Sequence, residues 1–403
     1  MEKQGKGAEE SMNNFQYYTP TKVVFGKDTE KETGALIKEQ RCSKVLVHYG
    51  TGSVKKSGLL DRVYEALDKE GVTYVSLGGA VPNPRLSLVY EGIELCRKEG
   101  VDFILAVGGG SAIDSAKAIA LGTKYEGDVW DLYLKKASAA DALPLGVILT
   151  IAATGSEMSD STVITNEEGW LKRGLHSSLV RPGFAVMNPE LTYTLPEYQT
   201  MSGCTDILMH TMERYFSHEM DTDLVDGMAE SLLKSVMRAA KVLLKEPKNY
   251  DARAEVLWAG SLSHNGLTGC GRTGDWACHQ LEHELGGMFD VAHGAGLAAV
   301  WGSWARYVYK EDVARFAKFA VNVMGVAYDY GDPEKTVLMG IEAMEEFFRT
   351  IHMPVSIHEL GVELTDEQIG ELAYKCTYMG QRMIGGIKKL GKDDIARIYE
   401  MAR

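Results

Sequence analysis

The sequence predicts an α/β domain built on a parallel sheet, followed by an all-α domain. Three observations carry this. Up to about residue 195, short apolar strand-like runs alternate with helix-like segments, the pattern of parallel strands joined by right-handed crossovers. Two of the runs, 103–107 and 145–150, are almost wholly apolar, as strands covered on both faces are. From Glu197 onward almost only helical periodicity remains.

In order, 21–25 reads as a strand ending at Gly26, and 28–39 as a helix with acids in its first turn. A strand over 44–49 leads to a turn at Gly50-Thr-Gly-Ser53. A helix over 59–70, a strand over 72–77, a rigid bend at Pro82-Asn83-Pro84 and a helix over 87–98 follow. The strand 103–107 enters a glycine run and a helix over 112–121; 145–150 enters Ala153-Thr-Gly-Ser-Glu157. Shorter strand-like pieces lie at 162–165 and 184–187. Helices are expected over 200–216, 224–244, 250–267, 276–286, 294–308, 313–323, 333–351, 365–374 and 393–401. The polar stretch 1–11 has nothing to bury and is expected to be disordered, with Met12 the expected natural start.

At 403 residues, two domains are the natural reading. A net charge of −13 argues against a nucleic acid or an anionic membrane as partner, and no apolar run is long enough to span a bilayer. The six cysteines form no CxxC pair, which fits reduced thiols in the cytoplasm.

Candidate chemistry concentrates in 274–300, GDWACHQLEHELGGMFDVAHGAGLAAV, which holds His279, His283 and His293. His279 and His283 are four apart, so on a helix they share a face; upstream, Asp206 and His210 have the same spacing. Asp206, His210, His279 and His293 together make a set of three imidazoles and one carboxylate. That set suits Fe(II) or Zn(II) rather than the all-oxygen shells of calcium or magnesium. The plainer alternative is helix histidines with unrelated roles.

The second candidate is GGGSAIDSAK, 108–117, between a strand and a helix. Glycines allow close backbone approach, and a helix N-terminus favours an anion. The run matches neither GxGxxG nor a P-loop, and a plain tight turn is the alternative. The turns at 50–53 and 150–156 also follow strand ends, and in a parallel sheet such turns line one edge. Three loops on one edge suggest a dinucleotide. A metal that polarises a carbonyl and a nicotinamide that supplies a hydride would meet at an interdomain cleft, where sites are common. His283 has no ligand role; it is expected to relay a proton or to line the pocket.

With these motifs (Pro82-Asn-Pro84, GGGSAIDSAK, ATGSE, Asp206-x3-His210, His279-x3-His283 and His293), the chain resembles the iron-containing (group III) alcohol dehydrogenases over 14–403, most closely their butanol-dehydrogenase and aldehyde-reductase branch. The resemblance implies a dehydroquinate synthase-like architecture. It divides the chain into a tail over 1–13, a dinucleotide-binding domain over 14–196 and a helical metal-binding domain over 197–403. It puts the metal on Asp206, His210, His279 and His293. It puts the pyrophosphate on Gly109, Gly110 and Ser111, with Asp114 in the same motif. Asn83, Thr150, Thr154, Ser159 and Lys172 line the rest of the cofactor; for Lys172, a solvated hairpin lysine is the alternative. Relatives also imply a homodimer, for which the early segment with Tyr17-Tyr18 and Val23-Val-Phe25 is the candidate edge strand.

The loop Gly50, Thr51, Gly52, Ser53, Val54, Lys55, Lys56 holds no acid to repel a 2′-phosphate. Ser53 and Lys55 are placed to receive one, so NADP(H) is expected over NAD(H). The expected activity is hydride transfer between NADP(H) and short-chain primary alcohols or aldehydes such as butanol and butyraldehyde. Polyol dehydrogenation, dehydroquinate synthase-like lyase chemistry and nucleotide-free metal hydrolysis are the rivals. Gly286, Gly287 and Gly294 are expected to let the chain leave one helix and bring His293 back to the metal.

Overall fold

The structure, a computed structural model, describes residues 11–403. The greater part of the expected tail, 1–10, lies outside the described residues. Asn13 is held in place: its N–H donates to the Gly271 carbonyl at 2.9 Å and its side-chain amide to Glu219 at 2.5 Å.

Eight strands form: β1 (Lys22–Phe25), β2 (Lys44–Gly50), β3 (Thr73–Ala80), β4 (Phe103–Gly108), β5 (Leu145–Leu149), β6 (Ser161–Asn166), β7 (Leu171–His176) and β8 (Phe184–Met187). Six of them make one all-parallel sheet in the order β1-β8-β5-β4-β2-β3. Every residue of β4 and β5 is buried, as their apolar sequences require. Phe103 and Phe184 stack at 5.7 Å between ring centroids within this core. The chain steps one way from β2 to β3, then returns to the other side of β2 for β4. The connections therefore reverse direction between β2 and β4, and the crevice at the carboxyl ends of such a strand pair is where open α/β sheets bind ligands.

The antiparallel hairpin β6–β7 has one strand that sequence patterning does not reveal. Leu171-Lys-Arg-Gly-Leu-His176 lacks apolar alternation, and its two buried positions carry Lys172 and Arg173. With Lys172 only 5% exposed, the solvated-lysine alternative is corrected.

The chain forms two compact units. The α/β unit takes Thr19–Leu195 together with Lys248–Ser261; the helical unit takes Pro196–Pro247 and Leu262–Arg403, with the described residues 11–18. In the helical unit, Phe216 stacks on Phe316 at 4.5 Å and meets Trp304 edge-on at 5.5 Å, which centres its apolar core. No helix among the described residues is long and apolar enough to cross a membrane.

Candidate metal centre and cofactor loops

Three helices of the helical unit supply the metal candidates. Glu197–Tyr215 carries Asp206 and His210, Ala277–Phe289 carries His279 and His283, and His293–Val308 begins at His293. The expected role of Gly286 and Gly287 is corrected. The helix runs through both to Phe289, and Asp290, at φ 53°, makes the left-handed turn that ends it. Gly294 does matter: a Cβ there would lie 2.0 Å from the Ser202 carbonyl oxygen, so only glycine lets this helix start approach Glu197–Tyr215 so closely.

Asp206, His279 and His293 each offer a ligand atom within 4.8 Å of the others. Nε2 of His279 and of His293 stand 3.8 and 3.7 Å from Asp206 Oδ1. His210 falls outside this trio but inside the cluster. Its Nδ1 is 3.0 Å from Asp206 Oδ1, and its ring centroid is 4.4 Å from that of His279. His283 does not belong to the trio; its ring centroid lies 6.0 Å from that of His293.

The hydrogen bonds set the tautomers. Nδ1 of His210 meets the Asp206 backbone carbonyl at 3.0 Å, Nδ1 of His279 meets Glu213 Oε1 at 2.9 Å, and Nδ1 of His293 meets Glu282 Oε2. Carbonyl and carboxylate oxygens only accept, so each Nδ1 carries the proton and each neutral ring keeps its Nε2 lone pair. Asp206 Oδ1 and His279 Nε2 are buried and have no hydrogen-bond partner, a costly state in a closed interior unless a cation completes them. The residues thus fit a divalent metal of the Fe(II) or Zn(II) kind.

Charge tells the same story. Burial pushes Asp206 up, but the imidazoles of His210, His293 and His279 around it hold its carboxyl well below the usual range. Burial pulls His210 down to about 4, so it stays neutral. Burial also opposes charging of His279, yet the neighbouring carboxylates of Asp206 and Glu213 raise it to about 9. Glu213 and Glu282 are the residues that sequence reasoning missed. Each stands three residues beyond a candidate histidine, His210 and His279, but bonds a different one, so spacing gave no signal of either contact.

In the α/β unit, four adjacent strands β5-β4-β2-β3 deliver the candidate cofactor residues to one edge. Gly50 ends β2, and Gly52 and Ser53 follow it; Asn83 follows β3; Gly109, Gly110 and Ser111 follow β4; Thr150 and Thr154 follow β5. A Cβ on Gly110 would sit 2.5 Å from Thr154 Cγ2, and one on Gly109 2.0 Å from Ile151 Cγ2, so the two loops touch only because these are glycines. Gly109 caps the helix Gly110–Lys124 without a side-chain acceptor, so the helix offers its first N–H groups to an anion. Asn83, buried and at φ 54°, holds a conformation that asparagine tolerates better than most residues. The Thr165 N–H donates to the Pro84 carbonyl at 2.8 Å, and Thr165 is in register with Lys172, which brings Lys172 toward this bend.

Asp114 and Ser159 face inward. Asp114 accepts from Ser156 Oγ at 2.6 Å and from the Val163 N–H at 2.9 Å. Ser159 Oγ lies 3.2 Å from both Lys117 Nζ and Ser161 Oγ. Lys117, fully buried, reaches five oxygens of Ser156, Ser159 and Ser161 at 2.7–3.2 Å. These three residues shape the loop whose threonine, Thr154, touches Gly110.

A dinucleotide-type sheet edge in one unit and an imidazole–carboxylate cluster that fits a metal in the other are the two elements that a metal-dependent nicotinamide oxidoreductase requires. Comparison with known proteins agrees. Residues 20–189 match the iron-containing alcohol dehydrogenase model, and 200–403 match that of the Fe-containing alcohol dehydrogenase family, C-terminal. Probable NADH-dependent butanol dehydrogenase 1 of Bacillus subtilis is 40% identical, over 96% of this chain and 99% of its own length. NADPH-dependent aldehyde reductase YqhD of Escherichia coli is 36% identical, over 97% and 100%. The crystal structure of NADH-dependent butanol dehydrogenase A from Thermotoga maritima superposes with a TM-score of 0.94 at 38% identity, over 98% and 99% of the two chains. The chain therefore belongs to the iron-containing alcohol dehydrogenase family, and its chemistry is that of an NAD(P)-dependent alcohol dehydrogenase and aldehyde reductase.

Proposed function

We propose that the chain interconverts short-chain primary aldehydes and alcohols, such as butyraldehyde and butanol, using NADP(H) in preference to NAD(H). The observation that supports it most is the convergence of Asp206, His279 and His293, each imidazole with its Nδ1 already engaged. Asp206, His210, His279 and His293 would hold Fe(II), with Zn(II) as competitor. The bound metal supplies Lewis acidity toward the carbonyl oxygen. Gly50, Gly52, Ser53, Asn83, Gly109, Gly110, Ser111, Asp114, Thr150, Thr154, Ser159 and Lys172 hold or shape the nucleotide site, in the functional region 14–196. The metal-binding functions belong to 197–403. His283 passes a proton from an imidazole nitrogen to the oxygen of the reduced product.

The relatives' names divide between NADH and NADPH. The preference for NADP(H) rests on the loop 50–56, which has no acid, and on Ser53, exposed at the start of the short helix Ser53–Lys56. Lys55 Nζ rests over the Tyr49 ring at 5.1 Å, on an exposed side chain. We further propose a homodimer formed through the edge strand β1, and a cytoplasmic setting, in keeping with six buried cysteines and no disulfide. Initial rates of butyraldehyde reduction with NADPH and with NADH test the reading. A higher kcat/KM with NADPH supports it. Equal or better use of NADH removes the cofactor preference, and no oxidation of either nucleotide by any short aldehyde removes the activity.

A further inference from the structure

Glu213 touches the ligand His279 in two ways. One carboxylate oxygen, Oε1, accepts from the His279 backbone N–H at 2.8 Å and from its ring Nδ1 at 2.9 Å. The backbone contact is unusual because His279 is the third residue of the helix Ala277–Phe289, whose cap residue Trp276 offers no side-chain acceptor. The first N–H groups of a helix lack partners within it. Here they are served from elsewhere: Asp275 Oδ1 takes the Ala277 N–H at 2.9 Å, and Glu213 takes that of His279. The Glu213 backbone joins in, its carbonyl accepting the Asp275 N–H at 2.7 Å. Glu213 is 2% exposed, so water does not compete for these bonds. Glu282 meets the ring Nδ1 of His293.

We propose that Glu213 is a positioning residue with two separable functions: it caps the helix that carries His279, and it orients and enriches the His279 imidazole as a metal ligand. This rests on the metal reading above. The two functions draw on different properties of one oxygen. Capping needs an acceptor in the right place, which a glutamine oxygen also supplies. Ligand basicity needs the negative charge behind Nδ1–H, which glutamine lacks.

The test compares the full-length wild-type chain with Glu213→Gln and Glu213→Ala, each stripped of metal and titrated with Co(II). Affinity is read by chelator competition, coordination by the Co(II) visible bands, and the metal-free chain by its Tm. Glu213→Gln is expected to weaken Co(II) binding about 10–100-fold while the metal-free Tm stays near wild type. Glu213→Ala is expected to weaken binding at least as much and also to lower the metal-free Tm by about 2–6 °C, the loss of a helix cap. Wild-type Co(II) affinity and bands in Glu213→Gln would overturn the orienting role. A metal-free Tm in Glu213→Ala equal to that of Glu213→Gln would overturn the capping role. If the wild-type chain itself takes up no Co(II), it is the metal reading that falls, and the inference falls with it.

Discussion

Replacing Lys117 by Met removes the buried cation that the helix Gly110–Lys124 sets against Ser156, Ser159 and Ser161. The ammonium has three N–H groups for five oxygens at 2.7–3.2 Å, so about three strong bonds are lost, each worth about 1.5–3 kcal/mol when the donor is charged. Against this stands relief from burying the charge. Burial lowers Lys117 from 10.5 to about 8, a penalty of roughly 3 kcal/mol at neutral pH. The net destabilisation is then roughly 1–6 kcal/mol, which lowers Tm by about 2–4 °C for each kcal/mol in a unit of this size. Because Ser156, Ser159 and Ser161 lose their common anchor, the loop that sets Thr154 against Gly110 loosens. The nucleotide KM should rise by more than the aldehyde KM. Thermal melts and steady-state kinetics on Lys117→Met measure both. A melt within 1 °C of wild type, or an aldehyde KM that rises while the nucleotide KM holds, would refute the reasoning.

Two further predictions follow from other side chains. His48 is fully buried, its Nδ1 at 3.0 Å from the Leu77 carbonyl and its Nε2 at 2.9 Å from Ser115 Oγ, and burial lowers it from 6.5 to about 4. The unfolded chain therefore binds a proton that the folded chain refuses. Stability should fall as pH drops from about 6.5 to 4, by roughly 3 kcal/mol from this group, and urea midpoints of His48→Gln should lose that part of the pH dependence. His283→Ala should keep its metal by elemental analysis and lower kcat about 10²-fold; an unchanged kcat would assign His283 to the pocket wall.

The sheet was legible because β4 and β5 are buried on both faces and so are written in apolar residues alone. The ligand candidates were legible because imidazoles are scarce and helical spacing of four is a local property. β7 was not legible: its buried positions carry Lys172 and Arg173, charged residues that patterning places on the surface. Glu213 and Glu282 look like ordinary helix acids until the fold sets them against His279 and His293. Asp114 and Lys117 sit in a motif that reads as nucleotide contact, yet their side chains are spent on the neighbouring loop, through hydrogen bonds spanning about forty residues of chain. Nor does periodicity alone show that Lys248–Ser261 packs with the α/β unit, since the helix Tyr250–His264 has the same pattern wherever it packs.

The central claim is that Asp206, His210, His279 and His293 form one metal site that the oxidoreductase activity requires. Its most direct test is metal content after anaerobic purification, alongside NADPH oxidation by butyraldehyde, in wild type and His279→Ala. The account predicts one divalent metal per wild-type chain, and loss of both metal and activity in the variant, with activity returning to the stripped wild type alone on adding Fe(II). Full activity in His279→Ala after chelation would contradict it.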